Sequence, residues 1–375
     1  MDRPKKVALL YASAGHGHEK AAQAVLEAYQ DIAPEHACGA FDTLEIIPPF
    51  WGSLYRASYY FMIRHAPWLW GFFYHLTDLG FVHHVTRRLR RFVNSTAGRA
   101  LERFIHKENP SIIISTHFLS TEVASYLKRK GRIDSKLITV VTDYLPHYFW
   151  VEKGVDLYVV GLKETKEGLV KRGVPASKIR VIGIPVEKKF LVPVSRTEVC
   201  HKLRLLSDVF TVLVTSGGAG IGAIEKIARG IMSLKRSIQV IVICGTNQWL
   251  FDRMKHASLE NPLLQVFGFV TNMEELMEAS DLVIGKGGGL TVTESFVKGK
   301  PVVLFRSVPG QETRNAACVA RRGAGIIANS VPEVLNRVAE FSKEPRRLEK
   351  MKENVARFAR PGAAADLVRL VENET

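Results

Sequence analysis

Between Gly285 and Asn315 the chain sets Lys286, three consecutive glycines, two carboxylates and two amides in an order suited to chemistry. An apolar run, Asp281 to Gly285, reads as a buried parallel strand, and Lys286, Gly287, Gly288 and Gly289 follow it directly. A helix is expected from near Leu290 and Thr291. Glycines let backbone N–H groups approach a diphosphate closely, and the start of a helix adds partial positive charge, so such a loop suits an anion. Glu294 falls in the first turns of that helix. A carboxylate there must face away from phosphate, and a pair of ribose hydroxyls is its usual partner. The next strand, Pro301 to Phe305, leads to Pro309-Gly-Gln-Glu312 and then Asn315. Amides and a carboxylate at a strand's carboxyl end supply the donors and acceptors that a hexose needs. A glycine cluster alone often marks only a packed turn; the order of loop, helix, strand and amides is what describes a receptor for a sugar nucleotide. Asp143, after another apolar strand, stands where ligands collect in parallel sheets, though an aspartate before Tyr144-Leu-Pro146 could equally form a turn.

This order closely resembles the C-terminal half of the glycosyltransferases that make monogalactosyldiacylglycerol and processive diacylglycerol glucosides. These are relatives of the transferase that adds N-acetylglucosamine to the peptidoglycan lipid precursor. Their usual wording is KPGGxTxxE followed by PGQExxN. Here Lys286-Gly287 replaces Lys-Pro, so a more flexible loop is expected, with consequences for donor affinity. Further matches run in the family's order: Ser13-Ala-Gly-His-Gly-His18 after a first strand, Ser115-Thr-His117, Val141-Thr-Asp143 with His147 and Trp150, Ser216-Gly-Gly-Ala-Gly220, Cys244-Gly-Thr-Asn247 and Gly268-Phe-Val270.

The resemblance implies an inverting transfer of a hexose from a UDP-sugar to the hydroxyl of diacylglycerol or a similar lipid. Such a step needs a base for the acceptor and a well-held leaving diphosphate. His18 matches the histidine of the family's GxGH turn; near a helix start it should stay neutral and able to accept a proton near pH 7, with Asp143 orienting it or acting as the base itself. A histidine that only caps the helix is the plainer reading. His16, Gly17, His117, His147 and Trp150 are expected around the acceptor. On the donor side Gly217, Gly218 and Gly220 should open the first helix of the second domain toward the phosphates. Asn247, Phe269, Val270, Lys286, Gly288, Gly289, Leu290, Thr291, Glu294, Gln311, Glu312 and Asn315 complete that set. The second domain's loops hold no DxD-type carboxylate pair, so no metal and no cofactor beyond the UDP-sugar co-substrate is expected, helix dipoles doing the metal's work.

The elements that must position these groups alternate between strand-like and helical runs in two series, the pattern of parallel sheets. At 375 residues, 46% of them hydrophobic, the chain can fill two cores. An α/β protein of GT-B architecture is expected, two Rossmann-like domains facing a cleft. Residues 1–185 would form the acceptor domain, 186–207 a proline-bearing linker, 208–355 the nucleotide-sugar domain, and 356–375 a last helix docking back on the first domain. The four cysteines show neither paired nor metal-ligand spacing.

Lysine and arginine total 52 against 37 acidic residues, a net charge of +15 that favours anionic partners. Aromatic residues crowd Phe50 to Phe81, Trp68, Trp70, Phe72 and Phe73 among them, and an amphipathic pattern follows from Val82 to Lys107 carrying Arg87, Arg88, Arg90 and Arg91. Such a pair of segments suits a protein lying on an anionic bilayer. No apolar run reaches the roughly 18 residues of a spanning helix and no secretory leader is evident, so a cytoplasmic protein, peripheral on the inner face of the cell membrane and without a nucleic-acid partner, is expected. A UDP-sugar 2-epimerase, or a non-catalytic anionic-lipid-binding protein with this fold, are the competing classes.

Overall fold

A computed structural model describes residues 4–13, 15–82, 98–234 and 236–374. The chain forms two compact units. The first comprises Met1–Lys188, Pro309–Gln311 and Arg360–Thr375; the second comprises Lys189–Val308 and Glu312–Ala359.

The first unit is built on six parallel strands: β1 (Lys6–Tyr11), β2 (Ala37–Asp42), β3 (Ile112–Ser115), β4 (Lys136–Val141), β5 (Leu157–Val160) and β6 (Ile179–Val181). Their order is β2-β1-β3-β4-β5-β6, so the chain reverses its direction of travel between β1 and β3, which pair with Leu10 opposite Ser115. Alternate side chains go to opposite faces. Leu9, Ile112, Ile114, Ile138 and Val140 pack with Val25 and Tyr29 of α1 (His16–Ile32), and with Leu367, Val368 and Val371 of the last helix, Ala363–Glu374. Leu10, Ile113, Leu137 and Val141 face the other way, against Val123 and Leu127 of the helix Phe118–Arg129. Glu372 fixes the end of the last helix by accepting from Lys5 Nζ and engaging His36 Nε2, each at 2.9 Å.

After β2 come α2 (Thr43–Ile46), α3 (Pro49–His65) and α4 (Pro67–Thr77). Residues 98–108 are also helical, and there Leu101 and Ile105 are buried in the core. That part of the Arg-rich amphipathic segment is therefore structural rather than a membrane face. Arg87, Arg88, Arg90 and Arg91 lie outside the described residues.

The second unit repeats the plan with β7 (Phe210–Val214), β8 (Ile238–Ile243), β9 (Leu264–Phe267), β10 (Leu282–Gly285), β11 (Val302–Phe305) and β12 (Gly325–Ala328), in the order β12-β11-β10-β7-β8-β9. Here the reversal falls between β7 and β10. A short helix, Arg196–Leu203, capped by Ser195, precedes β7, and Arg196 makes a two-pronged pair with Asp281 at 2.8 and 2.9 Å. The segment read as a linker thus carries a docked helix.

The last helix buries its apolar stripe on the first sheet's layer, so Leu367→Ala should cost about 2–5 kcal/mol, the usual range for a buried leucine truncation. A lowered urea midpoint read by tryptophan fluorescence checks this; an unchanged midpoint would show that the helix contributes nothing to the core.

Candidate active site

In an open parallel sheet, the loops leaving two neighbouring strands at a reversal point diverge and leave a crevice at the strands' carboxyl ends. The first unit has such a point between β1 and β3. The loop after β1 runs into α1 and carries His18; the residue after β3 is Thr116, whose N–H donates to Leu10 O at 3.0 Å and so continues the ladder one step. His18 Nδ1 lies 2.6 Å from the Thr116 carbonyl and 3.2 Å from Thr142 Oγ1, and Thr116 Oγ1 donates to His18 O at 2.8 Å. A carbonyl can only accept, so Nδ1 carries the proton and Nε2 keeps its lone pair. Burial lowers the His18 pKa, while Asp143 and the Thr116 carbonyl act in the opposite sense. The largest influence on it is therefore desolvation. His16, two residues earlier, is exposed.

Around His18 stand the other sequence candidates, in different roles. His117 lies edge-on to it at 4.5 Å between ring centres. Its Nδ1 accepts from Leu119 N at 3.1 Å and caps the helix Phe118–Arg129, and burial beside His18 pushes its pKa well down. Trp150, nearly fully buried, donates Nε1 to Asp143 Oδ2 at 3.3 Å and forms a wall. Asp143 also accepts from Gln311 Nε2. Gln311, expected at the sugar by resemblance, thus has its amide nitrogen engaged by Asp143 within the first unit. His147 is engaged at both nitrogens: Nδ1 accepts from Phe149 N at 3.0 Å and caps the turn Tyr148–Trp150, while Nε2 donates to Tyr74 O at 2.8 Å and holds α4. Thr116 and Thr142, which orient the His18 ring, were not singled out in the sequence.

In the second unit the glycines after β7 do not open a helix; the helix Ile224–Met232 begins four residues past Gly220. Gly217, Gly220 and Gly222 take left-handed backbone values, φ 72°, 58° and 127°, that fold the intervening loop. The loop after β8 pins it, since Gly218 O accepts from Thr246 N at 2.8 Å and Gly220 O accepts from Asn247 Nδ2 at 3.0 Å. Asn247 Oδ1 also caps the helix Gln248–Leu259, so its role is structural. Gly220 N–H is spent inside the loop, donating to Gly217 O at 3.1 Å, so the remaining backbone N–H groups of the loop are what it can offer an anion.

Lys286, Gly287 and Gly288 leave β10, and the helix Gly289–Val297 follows with Leu290, Glu294 and Ser295 buried and Thr291 half-buried. Gly287 N–H donates to Ser307 Oγ at 2.9 Å, and a Cβ there would come within 2.2 Å of Glu312 O. The slacker loop expected from glycine in place of proline is thus tied by a bond that proline cannot make. Glu312 braces its own loop, accepting from Val308 N at 2.7 Å with Lys286 Nζ at 3.7 Å. Asn315 is buried; Phe269 is exposed and Val270 half-buried after β9.

Comparison with known proteins bears on this geometry. The family model for monogalactosyldiacylglycerol (MGDG) synthase matches residues 18–186, and that for the glycosyltransferase family 28 C-terminal domain matches residues 211–367. Monogalactosyldiacylglycerol synthase 1, chloroplastic, of Arabidopsis thaliana is 32% identical over 98% of this chain and 70% of its own length. The processive diacylglycerol beta-glucosyltransferase of Bacillus cytotoxicus is 27% identical over 100% of this chain and 95% of its own. Among solved structures, Acinetobacter baumannii MurG superposes with a TM-score of 0.66 at 17% identity, covering 99% of this chain and 100% of that one. The UDP-GlcNAc 2-epimerase of Neisseria meningitidis gives 0.62 at 12%, covering 98% and 100%. The fold, the GT-B type, is therefore shared with transferases and epimerases alike, and sequence separates them. On identity and coverage, this chain belongs to the monogalactosyldiacylglycerol synthase family of glycosyltransferases.

Proposed function

We propose that this chain moves a hexose from a UDP-sugar to the free hydroxyl of diacylglycerol, with inversion at the sugar carbon, while lying on an anionic membrane surface. The observation that carries the reading is the tautomer of His18: a half-buried imidazole, its pKa lowered by desolvation, whose Nδ1–H is spent on Thr116 O and whose Nε2 keeps its lone pair. Nε2 takes the acceptor's proton as its oxygen forms a bond to the sugar's C1; the bond from C1 to the diphosphate oxygen breaks, and UDP leaves with the electron pair. Asp143 supports the imidazolium by its charge, and the Thr116 carbonyl holds the ring through both protonation states. The glycine loop after β7, Lys286 and the helix Gly289–Val297 suit the donor's diphosphate, and no metal is required in this scheme.

The membrane part of the reading rests on α3 and α4. Phe50, Phe61, Trp68, Phe72, Phe73 and Phe81 are all exposed, Trp68 at 70% and Phe81 at 82%, whereas Trp70 is half-buried against Tyr59 at 5.5 Å between ring centres. Water-facing aromatics in this number suit an interfacial bilayer layer. No described helix is long and apolar enough to cross a membrane. The hairpin is braced from beneath by His147, and by Asp78, which accepts from Tyr148 N at 3.0 Å and Arg172 Nη2 at 2.8 Å.

Replacing His18 by Ala should lower turnover roughly 10²–10⁴-fold with UDP affinity kept, and His16→Ala should do less. Because the neutral ring is the active form and burial lowers its pKa, the acid limb of the wild-type rate profile should fall below the ordinary imidazole range; a limb at or above that range would remove His18 as the base. Treatment with EDTA should leave turnover unchanged, and a loss reversed by magnesium would refute the metal-free scheme. In vesicle sedimentation the protein should bind phosphatidylglycerol strongly and phosphatidylcholine weakly, with partial release in high salt. Trp68→Ser with Phe72→Ser should cut binding by about tenfold or more, without touching UDP affinity; unaltered binding would show that the aromatic hairpin is ordinary surface.

A further inference from the structure

At the second unit's reversal point the carboxyl ends of β7, β10 and β11 and the start of the helix Ile224–Met232 enclose a small cavity of about 20 Å³. Its walls include Thr215, Ser216, Gly222, Lys286 and Arg306. Three features of this place have no structural explanation. Thr215 is 4% exposed, and its buried Oγ1 has no hydrogen-bond partner. A buried hydroxyl left so costs stability unless something else binds it. The nine-residue helix carries no side-chain cap, and its first-turn carboxylate, Glu225, is turned to Arg229 and Arg253, each at 2.9 Å. Its N–H groups are therefore offered to the cavity without a competing charge.

Arg306 is the third. It holds φ 47°, a left-handed value that an arginine adopts only at a cost. Nothing in its surroundings repays that cost: among the described residues no carboxylate pairs with it, and its guanidinium only lies over the Phe305 ring at 5.6 Å. A glycine would suit that backbone better. An arginine kept there against local strain, beside an uncapped helix and an orphaned hydroxyl, at the point of an α/β sheet where ligands collect, has the chemistry of an oxyanion receptor.

We infer that Arg306 binds the diphosphate of the nucleotide sugar, with the Thr215 hydroxyl and the start of the helix Ile224–Met232 as its companions, and that it supplies the positive charge the departing UDP needs. This rests on the donor reading given above and adds to it a cation outside the glycine, Glu294 and PGQE motifs. Arg306 sits between the strand and Pro309, where sequence shows only a surface arginine.

Calorimetric titration with UDP, uridine and inorganic pyrophosphate tests it. Arg306→Gln should weaken UDP and pyrophosphate binding about tenfold or more while leaving uridine unchanged, and Arg306→Lys should recover part of the loss. Arg306→Gly relieves the left-handed strain, so it should melt no lower than wild type and yet show the same loss, which separates binding from folding. Thr215→Val removes an unsatisfied hydroxyl; it should melt at or above wild type and bind UDP more weakly. UDP affinity unchanged in both Arg306→Gln and Arg306→Gly overturns the inference with the donor reading intact. Wild-type protein that binds pyrophosphate through Arg306 but no uridine nucleotide overturns the donor reading and leaves the anion site standing.

Discussion

The reversal of strand order governs the rest of this molecule. In each sheet two adjacent parallel strands are entered from opposite directions, β1 and β3 in the first unit and β7 and β10 in the second, so the loops that follow them part at the carboxyl edge. No side chain has to be forced into those gaps, because the backbone topology opens them. Chemistry then goes where the gaps are. His18 and Thr116 come from the two sides of one reversal, and Thr215 and Lys286 from the two sides of the other. The short hydrogen bond across the first gap depends on the ladder running to Thr116 N, so sheet register and the protonation state of the imidazole are one fact seen at two scales.

What surrounds each gap shows how a site is stiffened without being filled. Caps do much of this. His117, His147 and Asn247 each spend a side-chain atom on an N–H in the first turn of a helix or turn, which fixes the direction of the following element. Because these residues are polar and stand at strand ends, they look like ligands until their partners are counted. Glu312 does the same for the Val308 turn.

Most of the strands were legible in the sequence because buried parallel strands are short β-branched runs, as in Ile112 to Ser115 and Val302 to Phe305. β2 was not. Its Ala37-Cys-Gly-Ala core lacks β-branched residues, and an edge position does not demand them. The histidine of the GHGH turn was legible by type and order, but its orienting group was not, since Thr116 acts through a carbonyl that every residue possesses. His147 and Gln311 were legible as polar residues near a site; which atoms remained for a ligand depended on α4 and Asp143, tens of residues away or more. Arg306 escaped notice because a backbone dihedral leaves no mark on composition.

The pairing of Gly287 with Ser307 carries a consequence for how such chains diversify. A proline at 287 has no N–H to give, which would leave the Ser307 hydroxyl without that partner, and its ring carbon would press on the Glu312 carbonyl. Conversely, losing the hydroxyl while keeping glycine would free a loop with two soft dihedrals and nothing to hold them. Proline and the glycine–serine pair are therefore two solutions to one rigidity requirement, each internally consistent. A lineage that loses the proline before it gains the serine crosses an intermediate that has neither, whereas one that gains the serine first does not, so the two positions, twenty residues apart, are coupled and the order of change matters.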